Sequence, residues 1–428
     1  MSQALTSATV PQIYKELYDS QKVQWLTYKD NPFLAMIHKI TKFGGKYWPN
    51  PVVYSLTQGA SATYSYADAN QTSADMAEFL VTRVADFSLA TIDGQLLAAA
   101  QTDPESFIAS SELMIDACWQ TATNRIASAM FRNGAGTIAQ IGSVVGAGPS
   151  FVLTLTNPDD AVQFEVGQVL VAVQNADGSG SAPVDVGSIT AVDRNLGTLT
   201  MNSGTNLVAD WPVLYFLAIQ GDLPTLTNNN FHPSGSSQTN ALLKLAGIQA
   251  WLPQVAPAPG GSFFGVDRSL DVQRLSGVFY DGTGGSIEEA IQSGTARIAM
   301  QGGRVDVGIC SYATYNALII SLGSKVVYLD EKIGEIGFRG VQVNGANTTM
   351  SIFPDRNCPD GAINALEMDS WVLRSQNEAP HILKYMDEIE VLRVPGADSA
   401  QLRIGGYMNM YTKMPGHNGV IAVQLNEF

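Results

Sequence analysis

Residues 44–85 hold two β-type runs with no core of their own, and soon after them the chain enters a single long amphipathic helix. The rising run, residues 46–56, reads Lys-Tyr-Trp-Pro-Asn-Pro-Val-Val-Tyr-Ser-Leu. The far end, residues 57–75, is mostly Gly, Ala, Ser, Thr and Tyr, and the return occupies residues 76–87. No lysine or arginine stands between Tyr47 and Arg83. A lone two-stranded ribbon is marginal in water, because each strand has one partner and little apolar surface to bury. Tyr64 and Tyr66, two apart, are expected on one side of a strand, exposed in an isolated chain. The expected cover is another copy of the chain, which makes Lys46, Trp48, Tyr64 and Tyr66 candidate subunit-interface residues.

The helix announces its own start. Thr102-Asp103-Pro104-Glu105 supplies a cap, a proline at the first helical position and an acid in the first turn. Ile108, Ile115, Trp119, Ala122, Ile126 and Met130 then recur at helical spacing until Asn133-Gly134 ends the run. Trp119 and Met130 are read as core residues of that stripe. Upstream, residues 1–43 combine a short helical pattern at 10–18 with an extended stretch through Asn31-Pro32-Phe33-Leu34, and read as an arm. A short apolar segment, 92–100, lies between ribbon and helix.

After Gly148 the texture changes to β-branched runs at 151–155, 169–173, 184–192, 198–201 and 212–218, divided by Asp177-Gly-Ser-Gly and Arg194-Asn-Leu-Gly. Short strands with hairpin signals between them predict a small all-β barrel or sandwich. Eight acids face Arg194 alone in residues 148–222, so this module is expected to lie in solvent. A polar linker, 225–238, closes it. Residues 239–252 read as a helix with Leu242, Leu245, Ile248 and Leu252 on one stripe. A capping box at Ser286-Ile-Glu-Glu289 opens a helix to about 300, followed by a strand at 305–310 and a helix at 312–322. Strands are expected at 325–329, 338–343, 349–353, 365–373, 389–394, 400–411 and 419–425. The fold class is α+β with a central sheet.

Charge and cysteine use narrow the function. The net charge is −15, yet the first 46 residues are positive, with Lys15, Lys22, Lys29, Lys39, Lys42 and Lys46 against Glu16, Asp19 and Asp30. A basic end facing an acidic body steers subunits together in a salt-dependent way. Lys15, Lys22 and Lys29 therefore join the candidate interface. The acidic body argues against tight wrapping on nucleic acid, which needs clustered Lys and Arg. Only 15% of residues are charged while 45% are hydrophobic, which fits burial between subunits. Cys118, Cys310 and Cys358 are far apart and read as reduced, buried thiols of a cytosolic product. No signal peptide and no membrane-span-length apolar run is present.

Motifs for chemistry are wanting. The four histidines lack a second ligand at metal spacing, Gly44-Gly45-Lys46 lacks the rest of a phosphate loop, and no Gly-x-Ser-x-Gly elbow occurs. Asp281-Gly-Thr-Gly-Gly-Ser reads as a turn into a capped helix, and Asn175-Ala-Asp177-Gly as a hairpin turn. No catalytic residue, cofactor site or metal site is expected.

The order of arm, charge-poor ribbon, long helix and α/β region ending in strands resembles the major capsid proteins of tailed bacteriophages, the Hong Kong 97-type fold. Asn31-Pro-Phe-Leu, Gly265-Val-Asp-Arg-Ser269 and Gly405-Gly-Tyr-Met-Asn-Met-Tyr-Thr-Lys-Met-Pro415 carry the resemblance as an ordered set. It implies an N-terminal arm at 1–43, an extended loop at 44–90, and a peripheral domain at 91–145 and 366–428 with a spine helix at 104–132. It further implies an inserted β-domain at 146–230 and an axial domain at 240–365. The strands from about 366 onward would return to the peripheral domain. The implied function is a shell of hexamers and pentamers enclosing double-stranded DNA in a virion, assembled in the host bacterial cytoplasm. The implied partners are the chain itself, a scaffolding protein, a portal protein, the packaged DNA and a decoration protein. The start at Met1 suggests that scaffolding is a separate chain. Some relatives seal the shell from a loop lysine, but this loop has none beyond Lys46 at its base, so noncovalent contacts are expected. Two rivals stand: an encapsulin-like protein compartment, and a hydrolase with a β-rich binding module.

Overall fold

The computed structural model describes residues 31–93, 104–178, 185–223, 242–323, 328–333, 336–383, 391–394 and 396–424. Its spine is the helix Pro104–Ala129, which lies against a six-stranded sheet. The sheet is organised by Ser399–Thr412, long enough to pair with Val84–Asp93 along one edge and with Trp371–Ser375, His381–Ile382 and Val391–Arg393 along the other. His38–Ile40 adds in parallel to Trp371–Ser375. Ala122 and Ile126 of the helix and Met130 just beyond it are buried, and Ala90, Leu402 and Ile404 of the sheet pack with Cys118 and Ala122. Trp119 is different. Expected in the core stripe, it is 40% exposed.

The end of the spine helix is closed by a distant piece of chain. The carbonyls of Ile126, Ser128 and Ala129 accept from Met130, Phe131 and Arg132 N, and the next two carbonyls, without helical partners, accept from Ile248 N at Met130 (2.8 Å) and Gln249 N at Phe131 (3.3 Å). Lys244 N reaches the Gly134 carbonyl at 3.1 Å. Gly247 makes the approach possible: a Cβ there would stand 2.4 to 2.5 Å from the carbonyl oxygens of Met130, Ala129 and Arg132. The expected helix at 239–252 is therefore corrected to one turn, Ile248–Trp251. Residues 239–241 lie outside the described residues. Leu245, Ile248 and Leu252 still reach the core, but from an irregular segment whose donors serve another element.

A second, seven-stranded sheet runs in the order Val278–Asp281, Gly419–Ala422, Ala362–Leu366, Val307–Cys310, Thr349–Pro354, Ile336–Asn344, Tyr328–Ile333. Helices Ile287–Met300 and Tyr312–Leu322 accompany it, each opened by a serine whose hydroxyl accepts from the third backbone N–H onward: Ser286 from Glu289, Ser311 from Thr314. The predicted strand 365–373 is two strands in two sheets, parted at Met368–Ser370. Asn418, fully buried, fixes the break: its Oδ1 accepts from Glu367 N (2.8 Å) and Trp371 Nε1 (2.9 Å), and its Nδ2 donates to Ser370 Oγ (3.0 Å). The last strand, Gly419–Ala422, does not return with its predecessors to the helix-bearing sheet. It pairs parallel with Val278–Asp281 and antiparallel with Ala362–Leu366.

The β-rich module is a closed barrel in the order Phe216–Ile219, Thr137–Ala147, Ser150–Leu155, Thr198–Asn202, Val186–Asp193, Val169–Val173. Alternation puts Phe151, Leu153 and Leu155 inside, where they meet Leu170, Leu199, Met201 and Trp211. The barrel starts at Thr137, ahead of the expected 146, because Thr137–Ala147 follows the spine helix directly. Gly197, at φ +66°, closes the turn after Asp193, whose carboxylate accepts from Asn195 N and Leu196 N.

Residues 31–43 belong to the body. Asn31–Leu34, expected extended, enters a short helix, Pro32–Met36, with proline in its first turn. Phe33 packs on Phe131 at 5.2 Å and on Trp371 at 6.5 Å, and Phe43 is buried. Residues 1–30 lie outside the described residues, as does the linker at 225–238.

Candidate assembly surface

The ribbon pairs Tyr47–Ser55 with Asp75–Thr82, antiparallel. Its two faces have different fates. Trp48, Asn50, Val52 and Tyr54 on one strand and Ala77, Phe79 and Val81 on the other turn toward the body. Phe79, with no exposed surface, stacks edge-on against Trp251 at 5.2 Å, and Phe263 packs on Trp251 at 5.1 Å. Backbone and side-chain bonds add to this: Leu80 N donates to the Phe264 carbonyl (2.8 Å), Asn50 Nδ2 to the Thr412 carbonyl (2.9 Å), and the Arg274 guanidinium to the Tyr54 carbonyl. The lower half of the ribbon is thus completed by its own chain.

The upper half is not. Val53, Leu56 and Met76 are exposed, and the far end folds into a short helix, Tyr64–Ala69, with no buried residue. Tyr64 is 84% exposed and Tyr66 66%. The expectation that both sit on one side of a strand is corrected, since helical spacing turns two residues two apart away from each other. Their exposure stands, on opposite flanks of the tip.

The other sequence-selected residues divide. Lys46 is exposed at the ribbon's foot. Trp48 is half-buried beneath the Arg374 guanidinium, 3.4 Å above its ring, so it faces its own chain. Lys15, Lys22 and Lys29 lie outside the described residues.

Sequence reasoning missed a second bare apolar surface. On the edge strand Val84–Asp93 alternate residues pack on the spine helix, while Phe87 (47% exposed) and Leu89 (57%) face out, with Tyr407 edge-on to Phe87 at 5.9 Å. An open edge strand with bare aromatic and aliphatic side chains invites pairing with another chain. In Val-Ala-Asp-Phe-Ser-Leu-Ala-Thr-Ile both alternating sets are partly apolar, so the sequence does not say which set faces out. A groove lined by Lys46, Arg83, Phe87, Gln376 and Tyr407 runs from this face to the ribbon's foot.

Between spine helix, barrel and body lies a charged cluster. Arg125 bridges Asp86 (3.1 Å) and Asp222 (3.0 Å), and Lys244 reaches the same two carboxylates at 3.0 and 3.4 Å. Burial alone would lower the Arg125 pKa, but the two carboxylates hold it above its ordinary value. Among the described residues no three His, Cys, Asp or Glu side chains are placed to hold a metal ion, and all three cysteines are buried and unpaired. No described helix is long and apolar enough to cross a membrane.

No protein-family model matches the chain, and no curated protein matches it. Solved structures do. A chain of the Cyanophage A-1(L) capsid asymmetric unit superposes with a TM-score of 0.54 at 11% identity, covering 99% of this chain and 100% of that one. This chain has a phage capsid fold. Similar to it at lower scores are the capsid of a native GTA particle (TM-score 0.47, 8% identity, 99% and 100% covered) and the SrpI encapsulin complex from Synechococcus elongatus PCC 7942 (0.46, 8%, 100% and 98%).

Proposed function

We propose that this chain is the major capsid protein of a tailed bacteriophage, assembling as hexamers and pentamers into an icosahedral shell around double-stranded DNA. The observation that carries the reading is the chain-length likeness to a cyanophage capsid chain. The ribbon gives it a physical mechanism: its lower half is anchored in its own core while its upper half is left bare. In this reading residues 44–90 form the extended loop, the spine helix and its six-stranded sheet the peripheral domain, the seven-stranded sheet the axial domain, and the barrel the inserted domain. The ribbon tip of one copy lies on a neighbour, and the face of Phe87, Leu89 and Tyr407 is a second surface that assembly covers. Lysines of residues 1–46 pair with acids of adjacent copies. A scaffolding protein, a portal protein, packaged DNA and a decoration protein are the further partners of such a shell, and the virion is its location. Many interfaces of about 1,000 Å² or more, repeated by closed symmetry, suffice to hold it.

Negative-stain microscopy of the expressed chain, alone and with scaffolding protein, tests the reading. Closed shells of uniform size support it, and their contents, nucleic acid against protein, distinguish a virion from an enzyme compartment. Elution as a small oligomer under all conditions would refute it.

A further inference from the structure

The barrel and the spine helix border a cavity of about 280 Å³. One wall is the helix face that carries Ala117, Asn124 and Ser128, and Ile138, Val162 and Ile219 of the barrel form another. The connection between the two borders it as well: the chain passes into the barrel through Gly134 and Gly136, both at positive φ, and returns at Asp222, where Arg125 and Lys244 clamp the exit. Charges in these walls are already paired, Arg125 and Lys244 with Asp86 and Asp222, Arg132 with Asp160 (3.3 Å), and Glu165 with Arg194 (2.9 Å). Such a lining suits an uncharged occupant. One polar atom is left over: among the described residues the buried Nε of Arg132 has no hydrogen-bond partner. A buried donor of this kind calls for an acceptor, and a backbone carbonyl of an added segment is one.

Asn31 shows which segment is at hand. It is buried beside the cavity, its Nδ2 donating to Asn124 Oδ1 (3.4 Å) and its Oδ1 accepting from Asn357 Nδ2 (2.9 Å), and both partners border the cavity. Thirty residues precede it. The nearest apolar run among them, Val23-Gln-Trp-Leu-Thr-Tyr28, is uncharged and lies between Lys22 and Lys29. Five or six extended residues reach roughly 17–20 Å, while the helix wall from Asn124 to Ala117 is only about 10 Å long. Leu26 and Trp25 are therefore within reach of that whole wall. We propose that residues 23–28 of the same chain occupy this cavity, with Trp25 and Leu26 packed between the spine helix and the barrel. Tethering favours the chain's own segment over that of another copy, because a short linker sets an effective concentration on the order of millimolar. The seated run covers Ile138, Val162 and Ile219, otherwise half-buried, and ties the barrel to the helix. The seat lies within one chain and does not depend on shell formation.

Photocrosslinking of the full chain tests the seat. Leu26→Cys, and separately Thr27→Cys, is labelled with benzophenone maleimide; Cys118, Cys310 and Cys358 are buried, so the label goes to the introduced thiol. The labelled light chain is mixed with an equal amount of unlabelled chain grown on heavy isotopes, irradiated and digested. Adducts are expected on peptides covering 117–128, 137–141 and 159–168, with light–light pairs at least about tenfold in excess of light–heavy pairs. Equal light–light and light–heavy yields on those peptides would assign the cavity to another copy and overturn the proposal. Adducts confined to other surfaces, such as the edge strand at 85–91, overturn it too, as does the absence of adducts from both variants. In the unmodified chain, amide hydrogens of 23–28 are expected to exchange at least about tenfold more slowly than their intrinsic rates, and exchange at the intrinsic rate would equally overturn it.

Discussion

Gly247→Ala tests how the spine helix is terminated. Gly247 has φ −81° and ψ −165°, a conformation open to alanine, so backbone strain plays no part. At such a position Gly→Ala ordinarily stabilises by about 0.4–1 kcal/mol through the unfolded chain. Here the added methyl would stand 2.4 Å from the Met130 carbonyl and 2.5 Å from those of Ala129 and Arg132, all backbone atoms at a helix end. Relief requires the 244–249 segment to lift by the better part of an ångström, which lengthens the bonds from Lys244, Ile248 and Gln249 beyond useful range. Three bonds at about 1 kcal/mol each, plus about 1–3 kcal/mol of overpacking, less the ordinary gain, leave a net loss of about 3–5 kcal/mol. The assay is urea unfolding of the unassembled chain followed by far-ultraviolet circular dichroism. Gly284→Ala, at a site with no heavy atom within 4 Å of the new methyl, is the control and is expected to be neutral or slightly stabilising. A Gly247→Ala midpoint equal to or above that control would refute the account of the helix end.

The ribbon predicts a separation of effects: Phe79→Ala removes a fully buried ring and is expected to cost about 3–5 kcal/mol in urea unfolding. The double change Tyr64→Ser with Tyr66→Ser is expected to leave that midpoint within about 0.5 kcal/mol yet slow shell assembly followed by light scattering; an unaltered assembly rate would remove the tip from the interface. Asp355, buried, has its pKa raised to about 6 by burial, against the ordinary carboxylate value when unfolded. Its neutral form is favoured in the folded state, so its stabilisation is full below about pH 4 and is lost as pH rises through about 6, roughly 3 kcal/mol in all. Asp355→Asn should flatten that part of the pH–stability curve, and an unchanged curve would place the titration elsewhere. Mature particles are expected to run as a single monomer band in denaturing electrophoresis, because the ribbon has no lysine beyond Lys46; a ladder of linked chains would contradict this.

Local signals made much of the fold readable. The proline at 104 and the serines at 286 and 311 act within one helical turn, so the helices they open begin where the sequence places them. Barrel strands such as 151–155 and 198–202 were legible because one face is packed and the other wet, which writes a period of two into their residues. What escaped depends on partners far along the chain. Leu242, Leu245, Ile248 and Leu252 keep helical spacing, yet their backbone donors are claimed by the spine helix end. The break within 365–373 is set by Asn418, some fifty positions away. At the candidate surface the exposed tyrosines were evident from a charge-poor stretch, whereas the stacking of Arg374 on Trp48 was not, because the two lie far apart along the chain. The face of Phe87, Leu89 and Tyr407 exists only once two distant strands are paired.

The barrel departs from and rejoins the body at almost the same point. A methyl on Gly136 would lie 2.4 Å from the Asp222 carbonyl, so the two connecting strands of polypeptide touch as they cross the boundary. A host whose two cut ends already meet does not register the size or shape of what is spliced between them. That junction is where a foreign domain can be grafted with the least disturbance.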